Sequence, residues 1–197
     1  MKIYIGHDLR FPQATRVCRK SIEDNSEKGE HLIKYLNRKQ LTRIGIYGKG
    51  PVEGESTEFS FTRFYVPLLS HYEGVSMFVD NDFVFKANPS ELEKYLKDKP
   101  LACVKHELDE EKIYDEKFDH FVNKSYPKKC WSSLMLFNNS KLKHLTKDYL
   151  DNASAADLHQ LEWVDDKDIS EIPRSWNHLV GYYKKHNRIK AIHYTQG

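Results

Sequence analysis

"GVSMFVDNDFVFKANP", residues 74–89, contains an apolar run, VSMFV, that stops abruptly at two aspartates. The run is typical of a buried β-strand, so the aspartates follow its carboxyl end. Residues i and i+2 of an extended chain point the same way, which predicts that Asp80 and Asp82 aim both carboxylates into one crevice. A divalent cation or a shared proton would relieve their repulsion. A metal-bridged diphosphate fits this arrangement, whereas a solvated turn formed by Asn81 is the alternative.

Strand-like and helix-like segments alternate on both sides of this stretch. Strand patterns occur at residues 2–8, 31–37, 75–79, 101–107, 131–138 and 191–195. Apolar residues recur at helical spacing at residues 12–25, 58–72, 88–96 and 141–150. Pro67 predicts a kink or two short helices in the second of these segments. The alternation predicts an α/β domain with a mainly parallel mixed sheet flanked by helices, and ligands of such sheets bind beyond the carboxyl ends of the strands.

Composition favours one folded domain. The chain has 197 residues, of which 39% are hydrophobic and 30% are charged. The 31 basic residues nearly balance the 29 acidic ones, so no general attraction to nucleic acid is expected. Cys18, Cys103 and Cys130 are widely spaced in apolar patterns and are expected to be buried thiols. We expect a cytoplasmic protein, because the apolar runs are far too short for a membrane span and MKIYIGHD lacks the layout of a signal peptide.

Two classes of enzyme place a pair of acids after a buried strand. In one class the aspartates hold a metal that binds the diphosphate of a sugar nucleotide. In haloacid-dehalogenase-type phosphatases Asp80 would be the nucleophile and Asp82 the acid/base, and FVDNDFV is similar to their first motif. The segment VDDKD, residues 164–168, loosely resembles their later acidic motif. The aspartates alone leave both classes open.

The surrounding residues resemble the donor-site segment of family 8 glycosyltransferases. In that pattern an aromatic-rich helix with an Arg is followed by Val/Ile-Pro-x-Leu and by a strand that ends in Asp-x-Asp. The matching positions are Arg63, Val66, Pro67, Leu69, Asp80 and Asp82. Three further stretches, 4–22, 131–142 and 191–197, are similar to the family's first strand and helix, sugar-facing strand and closing His-x-x-x-Gly segment. The order of these stretches favours the transferase over the phosphatase.

The resemblance implies a GT-A fold and a divalent metal, most often Mn²⁺ with Mg²⁺ as the other candidate. Asp80 and Asp82 with His193 would be the metal ligands, and a neutral imidazole beside two carboxylates suits Mn²⁺. The reaction implied is the transfer of a hexose from a nucleotide-diphosphosugar, with UDP as the expected nucleotide and retention of configuration. The acceptor, a glycan, a lipid-linked molecule or a protein, is not visible in the sequence.

The resemblance also assigns residues to the donor and to catalysis. Residues expected to contact the donor are Ile5, Gly6, His7, Arg63, Asn81, Ser132 and Ser133. Arg63, expected opposite the apolar stripe of its helix, would reach the donor or brace an aspartate. Gln160 matches the amide of the family's Asp-Gln helix start. His159 replaces the usual acid before it, the group wanted near the anomeric carbon, which leaves Asp157 as a stand-in. Trp176 and Asn177 match a Trp-Asn pair before the closing segment, and Trp176 is expected to pack in the core.

The chain stops before the Lys-Pro-Trp-type stretch that normally follows the closing motif. We therefore expect a single domain over residues 1–197 that is truncated at its C-terminus. Two alternatives to an active transferase stay open: a GT-A protein that binds a sugar nucleotide without transferring it, and a phosphatase.

Overall fold

A computed structural model describes residues 1–50, 52, 55–108 and 127–195. Its strands are β1 (Lys2–His7), β2 (Leu32–Asn37), β3 (Val75–Val79), β4 (Phe83–Phe85), β5 (Leu101–Cys103), β6 (Leu134–Asn138), β7 (Ile169–Glu171), β8 (His178–Leu179) and β9 (Ala191–His193). Its α-helices are α1 (Pro12–Asp24), α2 (Arg38–Arg43), α3 (Val66–Leu69), α4 (Lys147–Asn152) and α5 (Ala155–His159). Short 3₁₀ helices occupy Thr62–Tyr65, Pro89–Tyr95, Trp131–Ser133, Asn139–Lys141, Asp166–Asp168 and Arg174–Trp176.

The central sheet has six strands in the order β2-β1-β3-β6-β5-β7. The β1–β2, β1–β3 and β5–β7 pairs are parallel, and β6 runs antiparallel to both of its neighbours. This is the mainly parallel mixed sheet that the sequence predicts. A second sheet has the order β4-β9-β8, so the strand predicted at residues 191–195 lies outside the central sheet.

Apolar residues on the strands alternate between two cores, as a period of two requires. On β1, Ile3 and Ile5 belong to one core and Tyr4 to the other. The first core also contains Cys18 and Ile22 of α1, and residues of α4 and α5 pack on the opposite face. Helices therefore cover both faces of the central sheet, and the predicted fold class is confirmed.

The break predicted at Pro67 is confirmed, whereas two predicted strand boundaries are wrong. The pattern at 58–72 forms a 3₁₀ turn, Thr62–Tyr65, that runs directly into α3, so two short helices replace one long one, as Pro67 suggested. Strand β5 ends at Cys103, and strand β6 begins only at Leu134. Residues 109–126, between these two strands in the sequence, lie outside the described residues.

Candidate metal and donor site

The Asp80-Asn81-Asp82 turn lies at the junction of the two sheets. The backbone N–H of Asp80 donates to the carbonyl of Ser133, 2.9 Å away, which extends the β3–β6 pairing by one residue. The carbonyl of Asp82 accepts a hydrogen bond from the backbone N–H of Tyr194 at 3.0 Å. Both ends of the turn are therefore anchored, one to the central sheet and one to the second sheet.

This anchoring brings His193 to the two aspartates. One ligand atom from each of Asp80, Asp82 and His193 lies within 4.8 Å of the others. His193 Nε2 is 3.3 Å from Asp82 Oδ1, and the imidazole stacks on Phe83 with ring centres 4.3 Å apart. A metal ion can be held by His, Cys, Asp or Glu side chains that lie close together. Among the described residues, these three side chains form such a group.

The donor set fits a divalent transition metal. Two carboxylates and one imidazole are ligands that Mn²⁺ accepts readily. Within the described residues no hydrogen-bond donor reaches the buried Oδ1 of Asp82. When His193 is neutral and its Nδ1 carries the proton, two lone pairs face each other between Nε2 and Asp82 Oδ1, and a cation between them removes that repulsion.

Arg63 braces this cluster through an ion pair with Asp80. Its guanidinium NH1 is 3.1 Å from Asp80 Oδ1 and donates to the carbonyl of Ser132 at 2.9 Å. The guanidinium also lies over the ring of Phe78, 4.8 Å from its centre, and over that of Phe59. Arg63 is only 6% exposed, so the expectation that it lies opposite the apolar side of its helix is wrong. Aromatic faces and a carboxylate allow the cation to be buried.

The predicted donor residues of β1 have local packing roles. Ile5 is fully buried and pairs with strands on both sides. A Cβ on Gly6 would lie 2.5 Å from the ring of Phe59. In the structure, this glycine therefore allows the Phe59 side chain to approach the backbone of β1 closely. His7 stacks on Tyr35 with a centroid distance of 5.6 Å. Contact of these three residues with a nucleotide stays a prediction.

Asn81, Ser132 and Ser133 lie beside the aspartates and are buried. Asn81 Nδ2 is 3.5 Å from the hydroxyl of Thr15, and the hydroxyl of Ser132 is 3.3 Å from Arg63 NH1. The hydroxyl of Ser133 donates to the carbonyl of Cys130 at 2.7 Å. Each of these three polar side chains thus has a partner within the protein.

The residues predicted to act in catalysis, Asp157 and Gln160, lie in helix α5 and directly after it. Ser154 and Asp157 form a capping box, in which the Asp157 carboxylate accepts from the backbone N–H of Ser154 at 3.1 Å. Asp157 is exposed, and Gln160 follows the last helical residue. His159, in contrast, packs edge-on against Phe61. The burial of the His159 imidazole and, as a smaller cause, the charge of Arg63 lower the pKa of His159 to about 3. The catalytic assignments of Asp157 and Gln160 stay predictions.

Sequence reasoning gave no role to Asn177 and missed His106, two buried residues near the cluster. Asn177 accepts a hydrogen bond from His193 Nδ1 at 2.9 Å, and the predicted Trp-Asn pair was its only sequence signal. His106 is 5% exposed, and its Nδ1 is 2.8 Å from the hydroxyl of Tyr183. Burial, followed by the charges of His193 and Arg174, lowers the pKa of His106 to about 3. Nothing in the sequence distinguishes His106 from other histidines.

Protein CDI of Arabidopsis thaliana is 36% identical to this chain over 208 aligned residues, which cover 100% of this chain and 78% of that protein. This chain belongs to the CDI family. No protein-family model matches the sequence. In the described part of this CDI-family chain, no helix combines the length and the apolar character that a membrane crossing requires.

Solved glycosyltransferase structures share the fold. The bifunctional glycosyltransferase WbbM, in its apo form, superimposes with a TM-score of 0.64 at 15% identity, covering 98% of this chain and 45% of WbbM. The galactosyltransferase LgtC, in complex with donor and acceptor sugar analogues, has a TM-score of 0.55 at 13% identity, covering 98% of this chain and 87% of LgtC. The chain thus spans less than half of WbbM. These matches confirm the GT-A fold of this CDI-family chain.

Proposed function

We propose that this protein is a metal-dependent glycosyltransferase of the family 8 type that moves a hexose from a UDP-linked donor to an acceptor with retention of configuration. The observation that carries the proposal is the convergence of Asp80, Asp82 and His193 at the carboxyl end of β3. The fold shared with LgtC and WbbM supports it, because ligands of open α/β sheets bind at this edge.

In this proposal Asp80, Asp82 and His193 hold Mn²⁺ or Mg²⁺. The metal, when bound, supplies Lewis-acid stabilisation of the negative charge on the departing nucleoside diphosphate. Arg63 holds one carboxylate oxygen of Asp80, so that carboxylate keeps its orientation before the donor arrives. Asp82 is positioned by the hydrogen bond that the backbone N–H of Tyr194 donates to its carbonyl. The protein thus contributes a preorganised set of ligands rather than a mobile one.

A protein that binds the donor without transferring it is a second candidate, favoured by α5. Its Asp157 carboxylate is engaged in the capping box, and the side chain before Gln160 is a half-buried histidine whose pKa is lowered to about 3. Asp157 therefore has its carboxylate occupied, and His159 has no carboxylate to place near a donor sugar. The phosphatase alternative is disfavoured, because Asp80, its required nucleophile, is paired with the buried guanidinium of Arg63.

Calorimetric titration of UDP and UDP-sugars, with and without Mn²⁺, tests the proposal. We expect the wild-type protein to bind UDP only in the presence of Mn²⁺. Asp82→Ala should weaken Mn²⁺-dependent binding by more than about 100-fold, since even outer-shell changes at metal sites cost 10–100-fold. Asp165→Ala is the matched control, because Asp165 is an aspartate whose side chain is 70% exposed.

The outcomes separate the candidates. Metal-dependent binding together with release of UDP from a UDP-sugar supports the transferase, whereas binding without release in the presence of candidate acceptors favours the non-transferring protein. Undiminished UDP affinity in Asp82→Ala would remove the metal-site claim. Hydrolysis of p-nitrophenyl phosphate that depends on Asp80 would overturn both and favour a phosphatase.

A further inference from the structure

A chain of buried hydrogen bonds leads from the backbone to the metal-facing histidine. The hydroxyl of Ser133 donates to the carbonyl of Cys130 at 2.7 Å, and Asn177 Nδ2 donates to that hydroxyl at 2.8 Å. Asn177 Oδ1 lies 2.9 Å from His193 Nδ1. Asn177 is fully buried, and Ser133 and His193 are each 3% exposed, so bulk water does not compete for these bonds. We call this set the positioning chain.

The order of donors and acceptors in the positioning chain leaves one tautomer for His193. A hydroxyl has one hydrogen, and that of Ser133 is used toward Cys130, so the hydroxyl can only accept from Asn177. The amide nitrogen of Asn177 therefore faces Ser133, and its oxygen, which only accepts, faces His193. Nδ1 of His193 must then carry a hydrogen. A neutral imidazole has one N–H, so Nε2 carries the lone pair.

Nε2 is the atom that faces the aspartates. It lies 3.3 Å from Asp82 Oδ1, in the group whose ligand atoms are within 4.8 Å of one another. We infer that Asn177 and Ser133 are positioning residues, which hold His193 in the Nδ1–H tautomer and present Nε2 as the ligand of a divalent cation. This inference rests on the proposed metal site. It also gives the Ser133 hydroxyl a role different from the sugar contact that the sequence predicts.

Outer partners of ligating histidines fix the ring orientation, and their loss typically costs 10–100-fold in metal affinity. Asn177→Leu keeps a similar side-chain size and removes the acceptor for His193 Nδ1. Asn177→Asp keeps an acceptor at that place. Asn139→Leu is the matched control, because Asn139 is also fully buried and hydrogen-bonded, to Ser76 and to the carbonyl of Glu73.

The first readout is the affinity for Mn²⁺ itself, measured from the loss of the free-ion electron paramagnetic resonance signal during titration. We expect Asn177→Leu to bind Mn²⁺ about 10–100-fold more weakly than the wild type. Asn177→Asp and Asn139→Leu should stay within about threefold. Wild-type affinity in a folded Asn177→Leu variant would overturn the inference. If that variant does not fold, Ser133→Ala decides: a several-fold loss supports the inference and an unchanged affinity overturns it.

The second readout needs no metal. Long-range ¹H–¹⁵N spectra of the metal-free protein, recorded well above the ordinary imidazole pKa, report which ring nitrogen of His193 carries the hydrogen. The His193 signal is assigned by its loss in His193→Gln. The Nδ1–H tautomer in the wild type, lost in Asn177→Leu, supports the inference, and an Nε2–H wild type overturns it. If the wild type binds no Mn²⁺, the proposed metal site fails, while this spectrum still tests the positioning chain.

Discussion

Two groups of predicted site residues differ in how their side chains are held. The metal flank, Asp80, Asp82 and His193 with Arg63 and Asn177, is assembled from distant segments and connected by buried hydrogen bonds and an ion pair. The helical flank, residues 154–160, is exposed around Asp157, whose carboxylate is held by the capping box of one short helix, while His159 packs against Phe61 and Phe64.

The difference separates two kinds of prediction. On the metal flank, residues far apart in sequence converge on one point, and Asp82 Oδ1 has no hydrogen-bond donor among the described residues. On the helical flank, Asp157 has a complete local explanation as a capping residue. A polar group without a local structural role is the stronger candidate for ligand binding.

The largest effect is expected on the metal flank. Arg63→Met should lower the free energy of unfolding by about 3–5 kcal/mol, because it leaves Asp80 without its buried cationic partner. The double variant Arg63→Met/Asp80→Asn should recover part of that loss, since the uncompensated charge is gone. Urea denaturation of the four proteins in this cycle measures the coupling. Equal stability of the wild type and Arg63→Met would contradict the proposed bracing role.

Gly6 tests whether a predicted donor residue is explained by packing alone. Gly6→Ala should destabilise the protein by about 1–3 kcal/mol, because the new Cβ would meet the ring of Phe59 at 2.5 Å. Phe59→Leu in the same chain should relieve part of this strain. Thermal denaturation of the single and double variants provides the measurement. Full additivity of the two changes would show that the Phe59 contact is not the reason for the glycine.

His159 connects the helical flank to the core and should make stability depend on pH. Its pKa is about 3 in the folded protein, below the ordinary value of 6.5, so between these values the unfolded state binds more protons and stability falls as the pH falls. The full slope from one such histidine is about 1.4 kcal/mol per pH unit.

His159→Phe isolates this contribution, because the replacement keeps an aromatic ring beside Phe61 and Phe64. Between pH 6 and pH 4.5, approximately the range set by these two pKa values, the variant should lose stability less steeply than the wild type. Urea denaturation at several pH values gives both slopes. Parallel slopes would mean that His159 titrates in the folded state much as it does when unfolded.

The smallest effect is expected for Asp157. Asp157→Ala removes one half of the capping box and should cost about 0.5–1 kcal/mol while leaving Mn²⁺ affinity unchanged. Ser154→Ala, which removes the other half, is the control for the structural loss. A fall in transferase turnover of more than about 100-fold in Asp157→Ala, absent from Ser154→Ala, would instead make Asp157 catalytic and erase the contrast between the flanks.

The sequence by itself determined the class of fold and the position of the aspartates. Period-two alternation on β1 and the apolar run of β3 depend on local geometry, so they are visible in the order of residues. The Asp80 and Asp82 pair at a strand end follows from the same pattern, and the central sheet confirms that placement.

The residue pattern left open which groups meet, and His193 was implied as a ligand only by the family resemblance until the tertiary structure placed it beside the aspartates. His193 reaches the aspartates because β9 pairs with β4 in a second sheet, a contact between residues more than a hundred positions apart. The burial of Arg63 and the bond from His193 to Asn177 depend on that same packing. Their partners come from separate segments, and no local pattern encodes such pairings. The tautomer of the histidine is thus decided by the folded chain, because each donor along the positioning chain must find its acceptor away from water.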